Sequence, residues 1–261
     1  MELAERLLKL KDYTGEDEVI TSFEMLEILK DRPASVRFMS EIPELDRIIE
    51  GFEGGELIAI SGPRKSGKSL LGQTFTANFA GQNIHSLWFS FELAPYQFLS
   101  RFGHNVPSFV MPRKLKAYAM EWLKDRILES IAKYSISAVF IDHLHFLFDM
   151  AKVRNASIEI GQIIRSLKSI ALEMDIVIFV MCHTQKISPN VEDLTDDVIR
   201  DSSFVSQESD CGMIIWRIKN SENQARLKVC YHRRTGTWEK TIKLQKQYGL
   251  LVESDEIHTQ R

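Results

Sequence analysis

The chain has 261 residues, 44% of them hydrophobic and 26% charged, with a formal net charge of −3. That length accommodates one well-buried core with a small appendage, and the charge excludes a chain-wide basic coat, so any polyanion has to be met by a local loop or channel. No apolar run reaches the roughly eighteen residues a membrane span needs, and the charged opening MELAERLLKLKDYTGEDE lacks the apolar centre of a signal peptide; a cytoplasmic protein without a membrane segment is expected.

In chain order, two short amphipathic patterns come first. ELAERLLKL puts Leu3, Leu7, Leu8 and Leu10 on one helical face, and SFEMLEILK does so with Phe23, Leu26 and Ile28. The acidic YTGEDE separates them and Pro33 closes the second, so residues 1–34 read as a helical arm. Strand-like runs then alternate with helical ones. ELIAIS (56–61) leads into a Gly-rich loop, SLWFSF (86–91) precedes a helical pattern through Arg101, and SAVFID (137–142) precedes a charged loop and the helix SIEIGQIIRSLKSIALEM. IVIFVMC (176–182) completes a set of continuous apolar strands, as expected where both faces of a sheet are covered. GMIIWRIK, ARLKVCYHR and EKTIKLQK follow, joined by NSENQ and RTGTW, and read as antiparallel hairpins. The fold class is therefore α/β, a mainly parallel twisted sheet flanked by helices with a C-terminal antiparallel extension, over residues 35–250; residues 251–261 read as a polar tail. Cys182, Cys211 and Cys230 sit singly in apolar stretches with no C-x-x-C pair, the pattern of buried, reduced thiols.

Gly62-Pro63-Arg64-Lys65-Ser66-Gly67-Lys68-Ser69 fits G-x-x-x-x-G-K-[ST] between a strand-like and a helical run. Glycines let such a loop curl so that its backbone N–H groups face phosphates, Lys68 would neutralise the β- and γ-phosphates, and Ser69 would ligate Mg²⁺. The pattern predicts a nucleotide triphosphate, with ATP and Mg²⁺ as cofactors. Asp142 closes the apolar strand AVFID, where a second carboxylate can organise the magnesium. His143 and His145, at i and i+2, would share a strand face, but the sequence offers no further ligand cluster beside them. The basic MPRKLK (111–116) reads as a solvated surface patch.

Several segments together resemble DnaB-type replicative helicases, which are RecA-like P-loop ATPases. FSFELAPYQFLSR (89–101) is similar to their F-S-L-E-M-s-x-x-q-L-x-x-R segment and IDHLHFLF to I-D-Y-L-Q-L. SLKSIALEMDIVIFVMCHTQK, IRDSSFVSQESD (199–210) and VCYHRRTGTWEKTIKL each resemble a further segment of that family, in the same order. SEIPELDRIIEGFEGGEL (40–57) is similar to the opening of this fold in DnaB, RadA and KaiC proteins. The resemblance covers about residues 38 to 245. It implies that Glu92 is the catalytic glutamate that polarises the attacking water, that His183 senses the γ-phosphate, and that Arg233 is an arginine finger acting on a neighbour's nucleotide, with Arg234 one step away as a substitute. It further implies a homo-oligomer, as a hexameric ring, that moves on single-stranded DNA, with a primase or loader among the partners. Channel loops would supply the DNA contacts: Lys152 and Arg154 in DMAKVRNAS, Lys186 and Arg200 in KISPNVEDLTDDVIRD.

The sequence departs from the family pattern at three places. Residues 1–34 are too few for the N-terminal collar domain of those helicases, although the arm is long enough to be a linker that docks on an adjacent subunit. The second loop carries Glu192, Asp193, Asp196, Asp197 and Asp201, and carboxylates repel a phosphate backbone. Tyr231 stands where the family often has lysine. Two functions from different classes therefore follow: a DnaB-type DNA helicase or translocase that hydrolyses MgATP at subunit interfaces, or a RadA- or KaiC-like ATPase that mediates recombination or acts as an ATP-switched regulator. A small-molecule kinase would need lid and acceptor-site signals that the sequence does not offer.

Overall fold

The structure is a computed structural model of the chain, and it describes residues 3–30, 35, 37–103, 105–147, 156–182, 203–218, 221 and 223–254. Chain contacts divide it into two units, Met1–Ser35 and Val36–Arg261.

The first unit holds α1 (Leu3–Lys11) and α2 (Ser22–Lys30), neither with a buried residue. α2 opens with a capping box: the Glu24 carboxylate accepts from the Thr21 N–H, and the Thr21 hydroxyl accepts from the Glu24 N–H at 3.2 Å. Reciprocal bonds of this kind satisfy two of the donors a helix start leaves open.

The second unit is built on an eight-stranded sheet with the order β10-β9-β8-β7-β3-β6-β5-β4. Its parallel half comprises β3 (Leu57–Ser61), β4 (His85–Ser90), β5 (Ile136–Asp142), β6 (Val177–Met181) and β7 (Cys211–Arg217). The antiparallel extension is β8 (Gln224–His232), β9 (Thr237–Gln247) and β10 (Leu250–Glu253). β3 and β6 are buried along their whole length, which is why their sequences are unbroken apolar runs rather than alternating ones. Helices α4 (Lys68–Gly81), α5 (Pro95–Ser100), α6 (Met120–Tyr134), α7 (Ala156–Met174) and α8 (Ser203–Glu208) complete the layers. A small sheet of β1 (Arg37–Phe38) and β2 (Phe52–Glu53), with α3 (Pro43–Ile49) between them, precedes β3.

Two apolar cores lie in this unit. One is aromatic: Phe140 stacks on Phe179 and on Trp88, each pair with ring centroids 4.6 Å apart, and Phe38, Phe52, Phe75 and Phe79 pack around them. The Trp88 indole N–H finds the Thr76 hydroxyl at 2.8 Å, which removes the cost of burying it. α4 runs so close to the sheet that a Cβ at Gly72 would stand 2.5 Å from Met181 Cε and 2.8 Å from Trp88. The other core is mainly aliphatic and joins α6 and α7 to β3, β5 and β6.

The boundary placed after residue 250 needs correction. Residues 251–253 belong to β10, and Leu251 is buried, its N–H bonded to the Thr74 hydroxyl of α4. Four residues after the Tyr248-Gly249 turn are enough to pair with β9, and their mixed polarity reflects an edge strand rather than a tail. The three cysteines are buried and none is in a disulfide.

Candidate nucleotide site

β3 ends at Ser61 and the chain turns at once into the phosphate loop, which feeds α4. The loop sits at the C-terminal end of a central strand, where the connection from β3 crosses to the far edge at β4, the kind of crevice in which open α/β sheets bind ligands. Gly67 has φ +109°, open to glycine and strained for other residues, and precedes the first turn of α4. At Gly62 a Cβ would meet the Ile215 carbonyl oxygen at 2.3 Å, so glycine is required there by close approach of β7.

The polar side chains of the loop are only partly satisfied by the chain itself. Lys68 is buried, and its ammonium donates to the carbonyls of Gly62 at 2.9 Å and Pro63 at 3.0 Å. Burial lowers its pKa, and the nearby Asp142 and Glu92 charges pull it back up. The Ser66 hydroxyl is buried with no hydrogen-bond partner among the described residues. Arg64 and Lys65 line the mouth of the cleft, and Pro63 supplies the turn before them.

The Ser69 hydroxyl donates to Asp142 Oδ2 at 2.6 Å, joining the start of α4 to the end of β5. Asp142 Oδ1 is buried with no hydrogen-bond partner among the described residues. Burial pushes this carboxyl up to about 6; the Ser69 bond lowers it, the Glu92 charge raises it, and Lys68 and Arg101 lower it. A buried orphan carboxylate oxygen beside a hydroxyl is a hard-oxygen donor set that fits Mg²⁺, which needs few protein ligands and keeps several waters. Glu92, just beyond β4, and His143 join this place: ligand atoms of Glu92, Asp142 and His143 lie within 4.8 Å of one another, with His143 Nδ1 3.7 Å from Glu92 Oε1. β5 stops at Asp142, and a 3₁₀ turn at Leu144–Leu147 follows; the His143 and His145 rings lie 5.2 Å apart, and the third group that the sequence did not offer beside them, Glu92, comes from the end of β4.

The cleft has a volume of about 830 Å³, and six cationic side chains among the described residues line it: Arg64, Lys65, Lys68, Arg101, Arg217 and Lys246. Against them stands the Glu92 carboxylate, with Asp142 behind it, so the field in the cleft favours a polyanion. Arg101, Arg217 and Lys246 were not singled out from the sequence. Arg101 was legible in principle, since it closes the FSFELAPYQFLSR segment. Arg217 and Lys246 lie on strands whose approach to the loop depends on the sheet order.

Arg233 lies in the β8–β9 turn and does not line this cleft. It is half exposed, 3.9 Å from Asp210 Oδ1, with a guanidinium N–H donated to the Gln207 carbonyl. Arg234, offered by the sequence as its substitute, is committed elsewhere: it donates to Glu56 Oε1 and the carbonyls of Ile49 and Gly51. Tyr231, in place of the family's lysine, is turned inward, its hydroxyl 2.7 Å from that of Ser209. Burial raises the Tyr231 pKa. His183, Lys152, Arg154, Lys186 and Arg200 lie outside the described residues.

The sheet order, the loop on β3 and the paired Ser69 and Asp142 define a P-loop protein with a RecA-like fold. The chain belongs to the DnaB-like helicase C terminal domain family, which matches residues 104–252. A probable replicative DNA helicase of Trieres chinensis is 24% identical over 248 residues, covering 78% of this chain and 53% of the relative. The chain thus spans about half the length of that curated relative. Among solved structures, a DnaB-like replicative helicase described with its interactions with primase has a TM-score of 0.72 at 18% identity, covering 97% of this chain and 71% of that one. A second solved structure, of an isolated ATPase domain, gives the same TM-score and identity and covers 97% of this chain and 99% of that one. Among the described residues no helix is long and apolar enough to cross a membrane.

Proposed function

We propose that the protein is the motor part of a DnaB-type helicase, hydrolysing MgATP between neighbouring copies of itself to move along single-stranded DNA. The observation that carries the reading is a division of labour. The cleft holds a phosphate loop, a magnesium pair and a carboxylate, yet Arg233 stands outside it, exposed on a turn.

In this reading the backbone of residues 62–67 and the ammonium of Lys68 hold the phosphates, and Lys68 exchanges its two carbonyl partners for phosphate oxygens. Ser69 and Asp142 would hold Mg²⁺, which would supply neutralisation of phosphate charge. Glu92 orients the attacking water and accepts its proton. Arg101, Arg217 and Lys246 add positive charge around the nucleotide. Arg233 of one copy reaches the terminal phosphate of the next, so hydrolysis depends on assembly, a hexameric ring being typical of the family. His183 senses the γ-phosphate, and Lys152, Arg154, Lys186 and Arg200 contact DNA. Primase is a candidate partner, because a structural neighbour was described with one.

The test is the ATP hydrolysis rate with and without single-stranded DNA, at low and physiological salt, paired with an unwinding assay. Strong stimulation that fades with salt, together with strand separation, is the expected result. A rate indifferent to DNA at both salts contradicts it and favours an ATP-switched regulator, the reading toward which the acidic run of residues 192–201 points.

A further inference from the structure

The β8–β9 turn is short, exposed and ought to be loosely held, yet its flanks are fastened from within. His232 is buried, and of the two exposed arginines that follow, the Arg234 side chain folds back against the protein at 24% exposure while that of Arg233 is left at 49%. Arg234 is fastened through Nε and Nη2. Nε meets Glu56 Oε1 at 2.9 Å, and Nη2 donates to the carbonyls of Ile49 at 2.9 Å and Gly51 at 2.6 Å. Glu53 and Glu50 lie 3.4 and 3.8 Å from the same guanidinium.

Glu56 is the hub. It is buried, and its second oxygen accepts the Glu53 N–H at 2.9 Å. Burial by itself would raise its pKa, but the nearby His232 ring, the hydrogen bonds from the Glu53 N–H and Arg234, and the charge of Arg234 hold it below the usual carboxylate range. The buried His232 ring stands 3.3 Å from Glu56 through Nε2 and 2.8 Å from the Thr235 hydroxyl through Nδ1. Thr235 in turn donates to Thr237 at 3.0 Å. The Arg233 N–H is pinned to the Asp210 carbonyl at 2.8 Å, and an Asp210 carboxylate oxygen accepts from the Leu57 N–H at 2.8 Å and Lys168 at 2.7 Å. Both tethers end on residues 56 and 57, at the root of the strand that carries the phosphate loop.

We propose that Glu56 and Arg234 form a clamp that sets the direction of Arg233, and that Arg234 is therefore a positioning residue for hydrolysis at the neighbouring copy's site. The proposal rests on the reading of Arg233 as a trans-acting finger. A buried ion pair adds little net stability over an apolar substitute, whereas a planar guanidinium held by a carboxylate and two carbonyls fixes orientation tightly. Small displacements matter at such a place, because a shift of about 1 Å in a group that acts on the transition state can cost about 100-fold in rate.

The test is a double-mutant cycle on the full chain, assembled with ATP. kcat, KM and the melting temperature are measured for the wild type, Arg233→Ala, Arg234→Gln, Arg234→Lys and the Arg233→Ala/Arg234→Gln pair. The clamp predicts that Arg234→Gln lowers kcat roughly 10- to 100-fold with KM nearly unchanged. Arg234→Lys should fall between, since lysine keeps the charge toward Glu56 but cannot span both carbonyls. The pair should be no slower than Arg233→Ala alone, because a misdirected finger cannot matter once the finger is gone. Where Arg234→Gln melts below the assay temperature, Glu56→Gln replaces it in the same cycle. The inference is overturned if Arg234→Gln matches the wild type while Arg233→Ala is slow, or if the two losses multiply. If Arg233→Ala itself runs at the wild-type rate, the finger reading has failed, an outcome distinct from either of these.

Discussion

The parallel and antiparallel halves of the sheet hold their charged groups in opposite ways. In the parallel half Lys68, Ser69, Glu92 and Asp142 converge on one cleft, and two of them are bonded to each other across α4 and β5. In the antiparallel half Arg234 is drawn back onto Glu56 with its side chain 24% exposed, while Arg233 beside it is left 49% exposed on the turn. A converging site is suited to a nucleotide of its own, whereas a half-exposed cation on a turn is open to a group outside the chain. On the proposed reading, the contrast means that half of the chemistry is completed by assembly.

The most severe way to break the comparison is at the cleft. Lys68→Ala should reduce ATP hydrolysis to background and weaken nucleotide binding, measurable by the release of phosphate and by titration with a fluorescent analogue. Arg233→Ala should instead leave nucleotide affinity within a few-fold while lowering kcat by about 10³-fold or more, the range expected of an arginine finger. Equal losses of affinity for the two variants would erase the distinction between the halves.

Stability sharpens the same contrast. Phe179, fully buried between Phe140, Phe75 and Phe52, should cost about 3–5 kcal/mol on truncation to alanine, read by denaturant unfolding. Trp238 on β9 is 67% exposed, and its truncation should move stability by only about 0.5 kcal/mol.

A smaller effect is set by pH. The folded protein holds the Asp142 carboxyl near 6, above its ordinary 3.8. In the absence of cation this group therefore stabilises the fold below about pH 4, and that contribution is lost as pH rises through about 6. Cation binding requires the ionised form, so Mg²⁺ affinity of the nucleotide-free protein should be about tenfold weaker at pH 5 than at pH 7, by calorimetric titration. The part of this dependence owed to the carboxyl should be lost in Asp142→Asn.

Much of this was legible in the sequence because the parallel strands are buried on both faces and their apolar runs leave little choice. The phosphate loop is a local pattern, and Asp142 ends a strand that announces itself. What escaped depends on contacts distant in sequence. Arg217 reaches the cleft because β7 lies beside β3 and Lys246 through the order of β7, β8 and β9, and Arg234 read as a substitute for Arg233 because its partner, Glu56, lies 178 residues away. β10 was missed since a four-residue edge strand has almost no period to read. Glu92 comes beside His143 from the end of another strand, 51 residues earlier in the chain, so the grouping of Glu92, Asp142 and His143 had no local pattern to show it.

The central claim is that one copy's cleft is completed by another copy's turn, and mixing two inactive variants tests it most directly. Arg233→Ala retains an intact cleft and Lys68→Ala an intact turn, so assemblies formed from both should hydrolyse ATP at sites where the two meet. Activity in the mixture well above the sum of the separate proteins is the predicted result. A mixture no more active than its components, in assemblies shown to contain both chains, would contradict it and place Arg233 outside the hydrolysis reaction.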